Sequence, residues 1–370
     1  MPIYLDNAST TQLYPEVLEE ILPYFTQFYG NSSSSTHAFG WRAKGGVNWA
    51  NSVISSVLNC DISEIVYTSG ATESINTVLN GIFESYKLKG KHFVVAPTEH
   101  KAVLDVLEFL KTKGAQITFL NVDEGGLINL EELASAIQKD TIAVVLMWVN
   151  NETGVIQDIE NIARLVADKQ SILVCDASQA LGKIKIDFKN IPIGVLIGSA
   201  HKFHGPKGVG FHLIRRKNPR VSVSPLILGG AQQNGRRSGT LNVPGIVGMA
   251  KALELSSAAY LNPFIHQQAL FLQNELIKLG YILNGSTQSK LPFIINLRSA
   301  NKAHDIIKNT PQLAYSLGSA CNSENQQPSH VLKAMNLSNE EAFCSFRLSL
   351  STFTTQQDIE TTIDVFKTNI

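Results

Sequence analysis

The sequence predicts an α/β protein: a large domain on a mainly parallel sheet, followed by a smaller α+β domain toward the C-terminus. Three observations carry that expectation. Short apolar runs alternate with stretches of helical period along most of the 370 residues, the pattern of repeated strand-helix units. The runs are apolar at nearly every position, as strands covered by helices on both faces must be. After residue 280 the alternation gives way to separated strands and a polar loop.

Taken in order, a helix is expected near residues 15–29, beside the smaller domain. Strands follow at IVYTS (65–69), HFVVAP (92–97), QITFLNV (116–122), IAVVLMWV (142–149), SILVCDA (171–177), GVLIGS (194–199) and GVGFHLI (208–214). Helices lie between them at 72–87, 101–113, 129–138 and 160–168. A long helical region at 243–280 leads to a strand near 293–297, a polar loop, a strand near 343–350 and a last helix. At a prior of about 150 residues per domain the chain should divide. The division read here is a large domain of residues 15–255 and a small one of residues 1–14 with 256–370.

Lysine plus arginine and aspartate plus glutamate each number 31, so no basic footprint recommends nucleic acid or an anionic membrane, and a small partner is expected. The longest apolar run, 142–149, has eight residues, against the roughly 18 that a membrane helix needs. The start MPIYLDNAS carries an acid and no basic n-region. It does not read as a secretory signal, and a cytoplasmic location is expected. Cys60, Cys175, Cys321 and Cys344 are too few and too widely spaced for a disulfide framework or a Cys-x-x-Cys site, and no metal is expected.

Open α/β sheets bind ligands beyond the carboxyl ends of their strands, so polar residues that directly follow strands are the candidates. Ala71 and Thr72 open a helix after IVYTS; they form either an anion site of free N–H groups and a hydroxyl, or an ordinary threonine cap. His100 follows HFVVAP as an acid/base or ring-stacking group, or as a plain surface or core histidine. Asn150, Asn151 and Glu152 follow IAVVLMWV, where turn chemistry is the alternative to ligand contact. Asp176 ends an apolar strand and therefore needs a partner, with Gln179 close behind. Ser199, His201 and Lys202 fall at the end of GVLIGS, on a turn bounded by Gly205 and Gly208. A lysine there can form a Schiff base, and Asp176 can hold the protonated ring nitrogen of pyridoxal 5'-phosphate. The competing reading is a solvated lysine and a capping aspartate; the coincidence of anion site, acid and lysine favours the cofactor.

The segment GGAQQNGRRSGT (229–240) is either a flexible surface loop or a phosphate-touching loop that reaches across a subunit boundary. Cys175 and Cys344 lie in apolar strands and read as core, and Cys60 is assigned no role. Cys321 sits in LGSACNSENQQPS (317–329), a polar stretch with little to pack, where a thiol is exposed and open to reaction.

Ten ordered motifs carry a resemblance over nearly the whole chain: LDNASTT (5–11), GNSSSSTHAFGW (30–41), TSGATESIN (68–76), TEH (98–100), VNNETGVIQDI (149–159), DASQALGK (176–183), SAHKFHGPKGVG (199–210), RRSGT (236–240), GSAC (318–321) and FRLSLSTFTT (346–355). They resemble the cysteine desulfurases of aminotransferase class V, in the nitrogen-fixation-type and housekeeping iron-sulfur subgroup with a long cysteine loop. The resemblance implies a fold type I pyridoxal phosphate enzyme with a seven-stranded sheet. By the same resemblance Lys202 is the Schiff-base lysine, Asp176 faces the pyridine nitrogen, and His100 stacks on the ring and moves protons with Lys202. Gln179 and Asn151 address the ring's oxygen side. Ala71, Thr72, Ser199 and His201 hold the phosphate, with Thr240 contributed by the other subunit of a homodimer. Asn31 and Arg347 match the residues that hold the substrate carboxylate, and Cys321 matches the nucleophile that takes the sulfur. The implied activity converts L-cysteine to L-alanine and leaves a persulfide on Cys321 for a sulfur-acceptor protein, an iron-sulfur scaffold among the possibilities.

Departures from the family pattern fall near the site without removing a catalytic group. Ser32 replaces a proline, Gly194 an acid, and Gly198 an aromatic or serine; Ala231 and Gln233 alter the glycine-rich loop, and Leu317 replaces a serine. The alternatives are a selenocysteine lyase or a class V aminotransferase, neither of which needs a cysteine on a loop, and a non-catalytic sulfur-delivery scaffold.

Overall fold

The computed structural model describes residues 2–317 and 327–368. Its strands are β1 Ile3–Tyr4, β2 Ile65–Thr68, β3 His92–Val95, β4 Gln116–Phe119, β5 Thr141–Met147, β6 Ile172–Asp176, β7 Val195–Ser199, β8 Gly210–Ile214, β9 Ile282–Leu283, β10 Ile294–Arg298, β11 Leu313–Ala314 and β12 Ser345–Ser349. Seven of them form one sheet in the order β2-β8-β7-β6-β5-β3-β4. Only β8 runs against its neighbours, so the other six end on the same edge. All seven match the apolar runs read from the sequence. The two-sided apolar pattern has its reason in the packing: Val144 and Leu146 enter one core while Ala143 and Val145 enter the core on the opposite face. At the sheet edge β4 is only partly covered, and there the apolar pattern is interrupted.

Two departures concern helices. Ala38–Leu58 is a single long helix that the sequence did not announce, because most of its core-facing stripe, Gly40, Ala43, Gly46, Val47 and Ala50 ahead of Ile54 and Leu58, is made of small residues with little apolar contrast. It packs against Val243–Ala259. The region 243–280 is two helices, Val243–Ala259 and Pro263–Lys278. Pro263 cannot continue a helix but begins one well, and the Asn262 side chain caps the second by accepting from the Phe264 N–H at 3.0 Å.

The remaining strands tie the chain's two ends together. β12, β10 and β9 form an antiparallel sheet, and β1 pairs parallel with β11. Residues 6–11 then run between β12 and the turn after β7. Asn7 Nδ2 donates to the Ser349 carbonyl at 2.8 Å, and the Thr11 hydroxyl donates to the His201 carbonyl at 3.0 Å.

Candidate active site

The ends of β5, β6 and β7 and the turn after β2 open onto a cavity of about 480 Å³. Ala71, Thr72, Ser199 and His201 line it. The helix Ala71–Tyr86 begins on Gly70, at φ 157° and ψ −177°, and has no side-chain cap. That conformation is open to glycine and closed to residues with a Cβ. Thr72 is therefore not the cap, and the first-turn N–H groups remain available to an anion. Glu73 on the same turn would repel one, but Arg237 Nε pairs with it at 2.8 Å. Burial depresses the His201 pKa to about 4, so its ring, 3.2 Å from the Thr10 hydroxyl, is neutral.

Asp176, Lys202, His100, Gln179 and Asn151 line the same cavity. Asp176 is the last residue of β6, 7% exposed, and its Oδ1 accepts from the Ser178 N–H at 2.9 Å. Lys202 ends the single turn after β7, and its Nζ donates to the Ala8 and Ser9 carbonyls at 2.7 and 2.8 Å. Burial, assisted by Arg347, brings its pKa down to about 8 against the opposing pull of Asp176 and Asp6. His100 caps the helix Lys101–Thr112 by accepting from the Ala102 N–H at Nδ1, 3.1 Å away. Nδ1 is thus an acceptor, and Nε2 carries the ring proton in the neutral form that burial favours. Gln179 Nε2 donates to the Ala8 carbonyl at 2.8 Å.

Asn150 is the turn residue of its pair: its Oδ1 accepts from the N–H groups of Glu152 and Thr153, at 2.9 and 3.0 Å. Arg347 on β12 is 2% exposed and stands behind the cavity wall. One terminal nitrogen donates to Asp6 Oδ1 and the Ser9 hydroxyl, both at 2.7 Å, and the other to the Asn151 carbonyl at 2.8 Å. Its Nε is buried with no partner among the described residues. Asn31 is exposed, its Oδ1 accepting from the Ser33 N–H at 2.9 Å, and Thr240 is exposed too; neither lines the cavity of this single chain. Cys321 lies outside the described residues.

Sequence reasoning missed the backing given by residues 6–10: Thr10 lines the cavity, and the Ala8 and Ser9 carbonyls hold Gln179 and Lys202. LDNASTT was noticed as a motif, but its contribution is mostly backbone carbonyls, which have no residue signature. It also missed Glu99, a fully buried carboxyl whose Oε1 accepts from the Met147 N–H at 2.6 Å. Burial pushes its pKa well up. The loop 229–240, read as either a flexible surface loop or one reaching across a subunit boundary, has a role within its own chain: Arg237 pairs with Glu73. Gln233 accepts from the Tyr67 N–H at 2.6 Å and donates to its carbonyl at 2.9 Å, a pair that a carboxylate could not complete. At Gly198, another departure, a side chain would collide with Leu181 Cδ1.

A family model for aminotransferase class-V matches residues 3–362. A cysteine desulfurase IscS of Neisseria meningitidis serogroup C (strain 053442) is 41% identical over 375 residues, covering all of this chain and 92% of that protein. A probable mitochondrial cysteine desulfurase of Schizosaccharomyces pombe is 42% identical over 98% of this chain and 73% of its own length. Among solved structures, a NifS-like protein superposes with a TM-score of 0.92 at 33% identity, covering 100% of this chain and 99% of its own. One described as SspA in complex with cysteine gives 0.84 at 32%, covering 94% and 98%. The chain belongs to the aminotransferase class-V family.

Proposed function

We propose that this protein is an L-cysteine desulfurase that uses pyridoxal 5'-phosphate and delivers sulfur through Cys321. The observation that carries the reading is one cavity joining an uncapped helix start, a buried carboxylate and a lysine of depressed pKa. This donor set fits the cofactor. The Ala71 and Thr72 N–H groups with Thr72, Ser199 and His201 would hold the phosphate, Asp176 the ring nitrogen, His100 the ring face, and Gln179 and Asn151 the ring's oxygen. Lys202 would be the lysine linked to it. When bound, the cofactor supplies an electron sink for bonds at the substrate's α-carbon.

The chain's own residues do the rest. An amine with a pKa of about 8 is partly neutral near pH 7.5, so Lys202 can accept a proton, and His100 faces the same space with Nε2 as its donor. Arg347, just behind the cavity wall with an unpartnered Nε, would hold the substrate carboxylate, with Asn31, which lies outside the cavity of a single chain, as a second contact supplied by another copy. The Cys321 thiolate would attack the substrate sulfur, forming an S–S bond as the substrate's Cβ–Sγ bond breaks; the carbon keeps that electron pair, takes up a proton and leaves as alanine, and the persulfide passes to an acceptor protein. The other three cysteines suit this poorly. Burial, with Glu64 and Asp61 nearby, pushes the Cys60 thiol up to about 12, and burial raises Cys175 and Cys344 as well. All three are free thiols, in keeping with a cytoplasmic location. A homodimer with Thr240 acting on the partner's cavity belongs to the same reading; exposed Phe25, Tyr29, Phe39 and Trp41 give a second copy an apolar face to cover. So does the division into residues 15–255 and residues 1–14 with 256–370.

The test is Cys321→Ser. The variant is expected to retain the cofactor's spectral response to cysteine while releasing no sulfide under reductant and acquiring no protein persulfide. Full turnover in that variant, or a persulfide located on Cys60 by mass spectrometry, would refute the assignment. Turnover with selenocysteine alone would favour the lyase.

A further inference from the structure

We infer that Lys183 is a positioning residue for the cofactor site, fixing the amide of Gln179 so that its nitrogen faces the cavity and the carbonyl that holds Lys202. The inference rests on the pyridoxal phosphate reading above. Lys183 is 7% exposed and makes no ion pair among the described residues. A buried ammonium without a counter-charge is costly, and the groups that face it sharpen the cost: Lys202, His201 and His204 all interact with it and none is an anion. Burial brings its pKa to about 7.

What Lys183 does have is one well-placed acceptor. Its Nζ donates to Gln179 Oε1 at 3.0 Å, so the oxygen end of that amide is assigned by a group that is a donor in either protonation state. Gln179 Nε2 then donates to the Ala8 carbonyl at 2.8 Å, the same oxygen that accepts from Lys202 Nζ at 2.7 Å. A continuous path therefore runs from Lys183 through Gln179 and Ala8 to Lys202. Two hydrogens sit on Nε2, and Ala8 takes one. The second is left for a ligand oxygen in the cavity that Gln179 lines. Without Lys183 the amide keeps only its Ala8 anchor and is free to turn that second hydrogen away.

The test uses the full-length protein, stripped of cofactor and reloaded with pyridoxal 5'-phosphate, as wild type, Lys183→Met, Gln179→Ala and the double variant. Without cysteine, the pH midpoint of the cofactor's visible band is measured for each. A lost hydrogen bond to the ring oxygen withdraws stabilisation from its anionic form, so both single variants should move the midpoint upward, by about half a pH unit. The double variant should move no further than Gln179→Ala alone, because a residue acting through another shows no additivity. An unmoved midpoint in Lys183→Met, with or without a lower melting temperature, overturns the inference in favour of packing alone. Additive shifts overturn it in favour of a direct charge effect. If Lys183→Met does not fold, Lys183→Gln, which keeps an N–H donor on a shorter stem, takes its place with a smaller shift in the same direction. Failure of the wild type to take up the cofactor would instead refute the functional reading on which this rests.

Discussion

The cavity's strand-end wall is assembled largely from near neighbours in sequence, whereas the segment 6–9, a second wall behind the lining side chains, is held by hydrogen bonds between residues 171 to 342 positions apart. Asp176 is bonded two residues on, and His100 likewise; the helix start at Ala71 needs only the glycine before it. By contrast, Asp6 and Ser9 depend on Arg347, and Ala8 bonds through its N–H to Ser349. Local turns on a rigid sheet hold their geometry residue by residue. A wall stitched over long separations concentrates its stability in a hub, here a guanidinium with three polar partners.

The largest effect should come where both walls meet. Lys202→Ala is expected to lower cysteine turnover by about 10³-fold or more, through loss of the proton-transferring amine, with the fold retained. Sulfide release and a melting curve check this together. A collapsed fold would mean that Lys202, through Ala8 and Ser9, fastens one wall to the other.

Next comes the contrast between the walls themselves. Arg347→Leu removes the partner of Asp6 and strands two partly buried acceptors, Ser9 and Asn151, at a cost of about 3 kcal/mol. Thr72→Ala removes a hydroxyl that caps nothing and should cost under about 0.5 kcal/mol. Urea midpoints of the cofactor-free proteins decide the matter, and equal losses would erase the distinction.

The same contrast governs what the sequence disclosed. Strands were legible because both faces of β5, β6 and β7 are buried and nearly every position before their ends is apolar. Asp176 was legible because a charged residue at the end of such a strand breaks its pattern, and Lys202 because it falls on the glycine-bounded turn just after β7. Helix Ala38–Leu58 was hidden by the small residues of its buried stripe, and the break at Asn262 was passed over within one long apolar stretch. Arg347 was named only through resemblance, and its pairing with Asp6 joins β12 to the segment after β1, a contact no spacing rule anticipates. Asn31 and Thr240, also carried by resemblance, lie outside the cavity of a single chain.

The smallest effect concerns pH and again separates the walls. Lys202 has an ordinary pKa of 10.5 and about 8 in the cofactor-free fold, lowered chiefly by burial. Between those values the unfolded chain binds more protons than the folded one, so stability rises with pH through that window. Equivalently, the stability of holding a neutral amine is fully present above the unfolded value and is lost as pH falls toward the folded one. The two carbonyls of the 6–9 wall limit the loss, because they accept from the charged amine as readily as from the neutral one. Wild type and Lys202→Met, cofactor-free, should therefore differ in stability by about 1 kcal/mol more at pH 8 than at pH 10.5, with Met the more favoured at the lower pH. Other lysines and tyrosines titrate in both proteins and cancel in the difference. A flat difference across the window would mean that Ala8 and Ser9 fully offset the burial of Lys202, and that the long-range wall, rather than the sheet, sets the lysine's proton affinity.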